Sequence, residues 1–163
     1  MVAIRPFTQA DWPAIWAILA PVFRAGETYG VAPEIGESEA HAMWVGKPLG
    51  TYVATDEAGR CLGTYFVKAN QDGPGAHVAN CGYAVAEDAR GQGIARAMCR
   101  HSQAEAVALG FRAMQYNLVV ATNAPAIRVW RAEGFAIVGT LPGAFAHPRD
   151  GFVDAHVMYK TLV

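Results

Sequence analysis

The stretch Asn80-Cys-Gly-Tyr-Ala-Val-Ala-Glu-Asp-Ala-Arg-Gly-Gln-Gly-Ile-Ala-Arg-Ala-Met-Cys99 decides how this chain folds. It begins as a strand, passes through a short acidic turn, and enters a long alanine-rich helix through Arg90-Gly-Gln-Gly-Ile-Ala95. A loop of this kind collects unpaired backbone N–H groups at the positive end of the helix dipole. Because glycine lets the backbone approach a ligand closely, the stretch predicts an anion site, most often one for phosphate.

Two common phosphate motifs do not account for this loop. A P-loop needs Gly-x-x-x-x-Gly-Lys followed by Ser or Thr, and the sequence contains no such run. The dinucleotide fingerprint needs a third glycine at the position of Arg96, and no first strand of a βαβ unit precedes the helix. What remains is an Arg-x-x-Gly-x-Ala loop.

That loop resembles the pyrophosphate-binding loop of the GCN5-related N-acetyltransferases (GNAT). A second run, Asn123-x-x-Ala126-x-x-x-Trp130 with the closing pair Gly134-Phe135, is similar to the family's Asn-x-x-Ala-x-x-x-Tyr run. The resemblance covers nearly the whole chain. It implies an enzyme, an N-acetyltransferase, with acetyl-coenzyme A as the acyl donor.

The resemblance also implies which residues hold coenzyme A. Asn123 would contact the pantetheine arm, and the backbone of Tyr83 and Val85 would pair with the same arm as an added strand does. The pyrophosphate would lie against Arg90, Gly91, Gly93, Ile94 and Ala95.

Composition limits the remaining possibilities. The chain has 163 residues and a formal net charge of −1, so we expect a single domain over residues 1–163 and neither a nucleic-acid nor a membrane partner. No apolar run approaches a membrane span and no signal peptide precedes Ile4, which predicts a cytoplasmic protein. The cysteines Cys61, Cys81 and Cys99 are odd in number and lack metal-ligand spacing, so we expect reduced thiols and no metal. A homodimer is left open.

Hydrophobic periodicity predicts a mixed α/β sheet, mostly antiparallel, with one parallel pair at its centre and four flanking helices. The resemblance makes this a GNAT-like fold in which the parallel pair is splayed. Predicted strands cover residues 2–7, 51–55, 61–68, 77–85, 113–120, 135–141 and 152–160. Predicted helices run to about Arg24, over 34–44, over about 91–109, and from Asn123 to Gly134, with a loop over 142–151.

The chain departs from the family pattern where proton transfer is concerned. Many relatives have a tyrosine, taken as the general acid, where this chain has Trp130, and an indole N–H gives up no proton near neutral pH. Core packing is an equally good interpretation of Trp130. The strand from His77 to Tyr83 contains no carboxylate to act as base, although His77 itself could serve.

Asn80 and Asn117 are the candidate catalytic and acceptor-binding residues. Two buried asparagines on neighbouring strands need partners, so they either bond each other or a bulge, or they bind the acceptor together. A narrower resemblance favours the acceptor. The runs His77–Tyr83, Asn117–Asn123 and Arg128–Trp130 are similar to the branch that acetylates proline analogues such as azetidine-2-carboxylate, where the matching asparagines are implicated in holding the acceptor.

A small amine with a carboxylate is therefore the leading acceptor. Glu27 and Thr28, in the loop after the first helix, are candidate acceptor contacts, and Arg149 or His147 could meet the carboxylate. We expect the acceptor amine to attack the thioester carbonyl of acetyl-coenzyme A directly, in a ternary complex. A backbone N–H between Gly82 and Ala84 would stabilise the oxyanion.

Several alternatives stay open at this point. Cys81 could carry the acyl group, although a buried structural cysteine is favoured. The chain could be a phosphinothricin-type or a protein N-acetyltransferase. A further alternative is not an enzyme: the chain could be a module that binds acetyl-coenzyme A without turnover.

Overall fold

Seven strands form one mixed sheet, in the order β1-β2-β3-β4-β5-β7-β6, in the computed structural model, which describes residues 2–163. Every neighbouring pair is antiparallel except β4 with β5, which is parallel. The predicted mixed sheet with one parallel pair is confirmed. The strands are Ala3–Pro6 (β1), Gly50–Thr55 (β2), Cys61–Ala69 (β3), Val78–Val85 (β4), Ala113–Val120 (β5), Ala136–His147 (β6) and Gly151–Thr161 (β7).

Four α-helices flank the sheet, as predicted: Trp12–Ala25 (α1), Glu37–His41 (α2), Ile94–Ala108 (α3) and Ala124–Ala132 (α4). Helix α2 is shorter than predicted because its backbone continues as a π-turn, Ala42–Gly46. Helix α3 begins later than predicted because Gly91 and Gly93 have φ of 76° and 79°, which a right-handed helix excludes. Among residues 2–163, no helix has both the length and the apolar character needed to cross a membrane.

The central strands of the sheet are covered on both faces, whereas β6 is largely exposed. Helix α1 and the α2 region cover one face, where Ile15, Leu19 and Trp44 have no exposed surface. The Trp44 indole donates to Thr64 Oγ1 at 3.1 Å and lies edge-on to Phe66. Helices α3 and α4 cover the other face with residues that include Met98, Cys99, Ala106, Trp130 and Phe135.

The predicted loop over residues 142–151 is wrong. Strand β6 continues to His147 and β7 begins at Gly151, so only residues 148–150 form the turn. A shift in register between Leu141 and Phe145 accommodates Pro142 as a bulge. Strand β6 is the outer strand, where a proline removes no ladder hydrogen bond.

A buried carboxylate joins α3 to α4. Glu133, which follows α4 and has a side chain only 7% exposed, accepts from Arg96 and from Arg100 Nε, the latter at 2.9 Å. Burial alone would raise the pKa of Glu133, but the hydrogen bonds from both arginines outweigh it and leave the pKa lowered. The ion pairs hold the first turns of α3 in place against α4.

Glu133→Gln should therefore make stability less dependent on pH. Because the pKa of Glu133 is lowered in the folded chain, its contribution is fully present above its ordinary value of 4.5 and is lost as the pH falls through the folded-state value. We expect the variant to lose about 1–3 kcal/mol at pH 7. The difference from the parent should shrink in acid, as measured by urea unfolding between pH 7 and pH 3.

Glu39→Gln, at an exposed position on α2, is the matched control and should change stability little at any pH. If the two glutamine variants behave alike, the paired carboxylate at position 133 does not stabilise the fold.

Candidate active site

The site is a cleft that opens where β4 and β5 separate. The two parallel strands pair only at Val78 with Ala113 and at Ala79 with Met114. Just beyond, Asn80 Nδ2 donates to the carbonyl of Gln115 at 2.9 Å, so a side chain replaces the backbone bond between the strands at this position. A register shift against β7 between Tyr116 and Val119 marks where β5 changes course. The resulting cleft has a volume of about 1970 Å³.

Unpaired backbone groups of β4 face this cleft. The Ala86 N–H donates to Leu62 of β3, and the Val78 carbonyl accepts from Asn70, so even-numbered residues point their backbone groups toward β3. Because direction alternates along a strand, the backbone groups of Cys81, Tyr83 and Val85 point toward the gap. The cleft therefore presents a strand edge to which an extended ligand can bond.

The Tyr83 carbonyl already has a partner in this gap. Tyr29 Oη, from the loop between α1 and α2, donates to it at 2.6 Å. Burial raises the pKa of Tyr29, so the phenol stays protonated and acts as a donor. The contact places the α1–α2 loop directly over β4.

The glycine loop opens into the same cleft. A Cβ at Gly91 or Gly93 would meet no atom within 4 Å, so the backbone there is open to a ligand. The first bond of α3 runs from Ala97 N–H to the Gly93 carbonyl, which leaves the N–H groups of the preceding turn without intrahelical acceptors. Arg90 is exposed and lines the cleft, so the predicted pyrophosphate residues lie together at a helix N-terminus.

Asn123 and Trp130 lie on the α4 side of the cleft. Asn123 Oδ1 accepts from the Ala126 N–H at 3.3 Å and caps α4, which leaves its Nδ2 for a ligand. Trp130 is 8% exposed, and its ring packs against Tyr83 at 4.9 Å and Tyr116 at 5.1 Å. Trp130 is thus part of the core and part of the cleft wall.

Asn80 and Asn117 both line the cleft but do not bond each other. Asn117 Nδ2 donates to Asn70 Oδ1 at 2.7 Å, and Asn117 Oδ1 accepts from Gln115 at 2.9 Å. The expectation that both are buried is wrong: Asn80 is half-buried, and Asn117 is exposed. It lies beyond the point where the strands separate, so β4 no longer covers it.

The surroundings of Cys81 and His77 argue against a catalytic role for either residue. Burial raises the pKa of the Cys81 thiol to about 12, so the nucleophilic thiolate is absent near neutral pH. His77 is exposed before β4, with Nδ1 3.1 Å from the Pro74 carbonyl, and it is not among the residues that line the cleft. Within residues 2–163, no group of three or more His, Cys, Asp or Glu is placed to hold a metal ion.

An ion pair at the cleft links segments that lie 122 positions apart in sequence. Arg149, in the β6–β7 turn, donates to Glu27 in the α1–α2 loop, and both residues line the cleft. This hydrogen bond lowers the pKa of Glu27 against a smaller desolvation effect, and the charges of Arg149 and Arg90 add to the lowering. Thr28 lines the cleft beside Glu27. The sequence identified Glu27, Thr28 and Arg149 as candidates, but it did not predict that Glu27 pairs with Arg149, because no local pattern records a contact over 122 positions.

Comparisons with known proteins agree with this geometry. The family model described as "Acetyltransferase (GNAT) family" matches residues 12–135. The solved structure of a GCN5-related N-acetyltransferase from Kribbella flavida is 41% identical, with a TM-score of 0.94 over 98% of this chain and 97% of that one.

Two further relatives are more distant. N-acetyltransferase aca1 of Schizosaccharomyces pombe is 33% identical over 97 residues, 59% of this chain, and the match spans only 46% of that protein. A phosphinothricin acetyltransferase from Sinorhizobium meliloti, solved in complex with AcCoA, is 22% identical with a TM-score of 0.86 over 98% of this chain and 88% of that one. The second likeness supports the fold alone.

Gly93→Ala should weaken coenzyme A binding. Alanine at φ 79° strains the loop by about 1 kcal/mol and disturbs the N–H groups that face the ligand. We expect the Kd measured by titration calorimetry to rise about tenfold, equivalent to roughly one hydrogen bond.

Gly59→Ala is the matched control, because Gly59 has φ 80° and equally open surroundings but lies in the β2–β3 turn. We expect Gly59→Ala to lower the stability of the fold by a similar amount and to leave the Kd for coenzyme A unchanged. Equal Kd values for the two variants would contradict an anion site at the glycine loop.

Proposed function

The chain belongs to the acetyltransferase (GNAT) family, and from this membership we propose that it moves an acetyl group from acetyl-coenzyme A to the amine of a small amino or imino acid. The predicted family and enzyme class are confirmed at that level. The acceptor, the proline-analogue branch and a cytoplasmic location are part of the proposal.

The observation that carries the proposal is the gap between β4 and β5. It combines a strand edge with unpaired N–H groups, an open glycine loop at a helix N-terminus, and two asparagines that line the cleft. A long ligand with an anionic end fits the edge and the loop together. A cleft of about 1970 Å³ leaves room for a second, smaller molecule.

The chain's own groups fit acetyl-coenzyme A. Arg90, Gly91, Gly93, Ile94 and Ala95 would hold the pyrophosphate, while Asn123 Nδ2 and the backbone of Tyr83 and Val85 would hold the pantetheine arm. When bound, acetyl-coenzyme A supplies a thioester, and the acceptor amine attacks its carbonyl directly in a ternary complex. Tyr83 N–H faces the gap, so we assign it, rather than its neighbours, the role of steadying the oxyanion.

The acceptor would lie against Asn80 and Asn117. Asn80 Nδ2 donates to the Gln115 carbonyl, which leaves Oδ1 free to accept a hydrogen bond from the acceptor amine. That bond would orient the lone pair of the amine nitrogen toward the thioester carbonyl. Positioning of this kind supplies a large share of the rate in bimolecular reactions. Glu27 and Thr28, in the loop over β4, would close the acceptor end.

Proton transfer in this proposal uses water. Asn80 and Asn117 are neutral amides, β4 carries no carboxylate, and Trp130 cannot supply a proton. The amine is deprotonated by solvent that reaches the open cleft, and the thiolate is a tolerable leaving group.

The direct test is release of coenzyme A thiol with acetyl-coenzyme A and a panel of amines. The panel includes azetidine-2-carboxylate, phosphinothricin and a peptide with a free N-terminus. We expect turnover with one imino or amino acid and at least a tenfold loss of kcat/KM in Asn80→Ala, while the Kd for coenzyme A is kept.

Each other outcome identifies an alternative. Preference for phosphinothricin would keep a small amino acid as the acceptor but replace the proline-analogue branch by the phosphinothricin type, whereas preference for the peptide would reassign the acceptor to a protein N-terminus. Tight binding of acetyl-coenzyme A without thiol release on any amine would make the chain a binding module and overturn the proposal.

Trp130→Phe should retain most of the activity. Phenylalanine keeps an aromatic ring against Tyr83 and Tyr116 and removes only the N–H. Loss of a general acid costs about 10²–10⁴ in rate, whereas we expect kcat to fall by less than about tenfold. Trp16→Phe, on α1 outside the cleft, controls for the loss of an indole. A hundredfold fall confined to Trp130→Phe would contradict this expectation and show that the reaction needs a hydrogen bond from the indole N–H.

A further inference from the structure

The ion pair between Glu27 and Arg149 lines the same cleft as Asn80 of β4. Asn80 and Gly82 point to the same face of that strand, because side chains alternate. A Cβ on Gly82 would lie 3.2 Å from Tyr29 Oη, so the α1–α2 loop packs on this face. Glu27 belongs to the same loop, two positions from Tyr29, and its carboxylate accepts from the Arg149 guanidinium.

The other cations that line the cleft have different partners or locations. Arg60 pairs with Asp88, and Arg96 pairs with Glu133. Arg90 belongs to the glycine loop, and Arg128 lies on α4. Of the arginines that line the cleft, Arg149 is the one whose guanidinium bonds a side chain of the α1–α2 loop, and that side chain is a carboxylate.

A rigid turn carries Arg149. The imidazole of His147 is buried, and its Nδ1 lies 3.3 Å from the Arg149 N–H and 3.2 Å from the Asp150 N–H. These contacts fix the turn over residues 148–150, while the Arg149 side chain remains 69% exposed. The guanidinium can exchange partners without any change in the backbone that presents it.

We infer that Arg149 binds the carboxylate of the acceptor, and that Glu27 holds the guanidinium in place until the acceptor displaces it; this inference rests on the proposed function. An exposed ion pair contributes at most about fivefold to an equilibrium, so displacement of Glu27 is easy. Arginine binds a carboxylate through two parallel hydrogen bonds, which suits recognition of an incoming ligand. The acceptor is then an amino or imino acid rather than a simple amine, a polyamine or a lysine side chain.

The test compares two acceptors that differ only in the carboxylate, azetidine-2-carboxylate and azetidine, in the thiol-release assay. Arg149→Met should raise the KM for the carboxylate acceptor at least tenfold and leave kcat/KM for azetidine within twofold. Glu27→Gln should lower the KM for the carboxylate acceptor by up to about fivefold, because the competing carboxylate is gone. Arg112→Met, at an exposed position outside the cleft, controls for the loss of one positive charge.

The two variants break the same ion pair, so their opposite effects separate recognition from support of the structure. A fall in activity in both variants, or an equal fall on azetidine, would overturn the inference and make the pair a structural link. Equal kcat/KM of the unmodified protein on both acceptors would also overturn it, with the proposed function intact. Failure of the proposed function is a different result: no thiol release on any amine in the panel.

Discussion

The structure depends on a hydrogen-bond ladder that stops early. Strands β4 and β5 pair over only two positions, and beyond them the backbone of β4 has no neighbouring strand on its β5 side. Unpaired backbone groups away from water are costly, so such an edge persists only where solvent or a ligand can satisfy it. Tyr29 satisfies one carbonyl, and the remaining groups face a cleft. The fold thus keeps one strand edge open at its centre, where most sheets are closed.

The two faces of β4 serve different purposes beside this gap. Cys81 and Tyr83 point into the core beneath α3, where the Tyr83 hydroxyl contacts Ser102 at 2.6 Å and Tyr116 at 2.8 Å. The opposite face carries Asn80 and Gly82 under the α1–α2 loop. Glycine is required at position 82 because a Cβ there would lie 2.5 Å from the Phe66 ring. The side chains on the core face fix the position of β4. The backbone groups of β4 that point into the gap are thereby positioned for hydrogen bonds to an extended ligand.

Much of this arrangement follows from local patterns. The alternation of β4, the glycine loop and the helix after it could be predicted, because each is fixed by residues within one or two turns of the chain. The Asn-x-x-Ala run likewise located the cap of α4, whose Asn123 side chain makes the expected short-range hydrogen bond. The hairpin of β6 and β7 was predicted too short, because Pro142 indicates the end of a strand in sequence. Only the sheet order shows that β6 lies at the edge, where a proline is tolerated.

The sequence by itself therefore determined the order of strands and helices along the chain, the glycine loop before α3 and the residue types that line the cleft. The tertiary structure alone decided where β4 and β5 part, that Asn80 bonds the Gln115 carbonyl instead of Asn117, and that Glu27 meets Arg149. Local elements follow from hydrogen bonds and side-chain periodicity among near neighbours, which the sequence displays directly. Contacts between residues 122 positions apart depend on how twisted strands and their turns pack in space, and no local pattern records that.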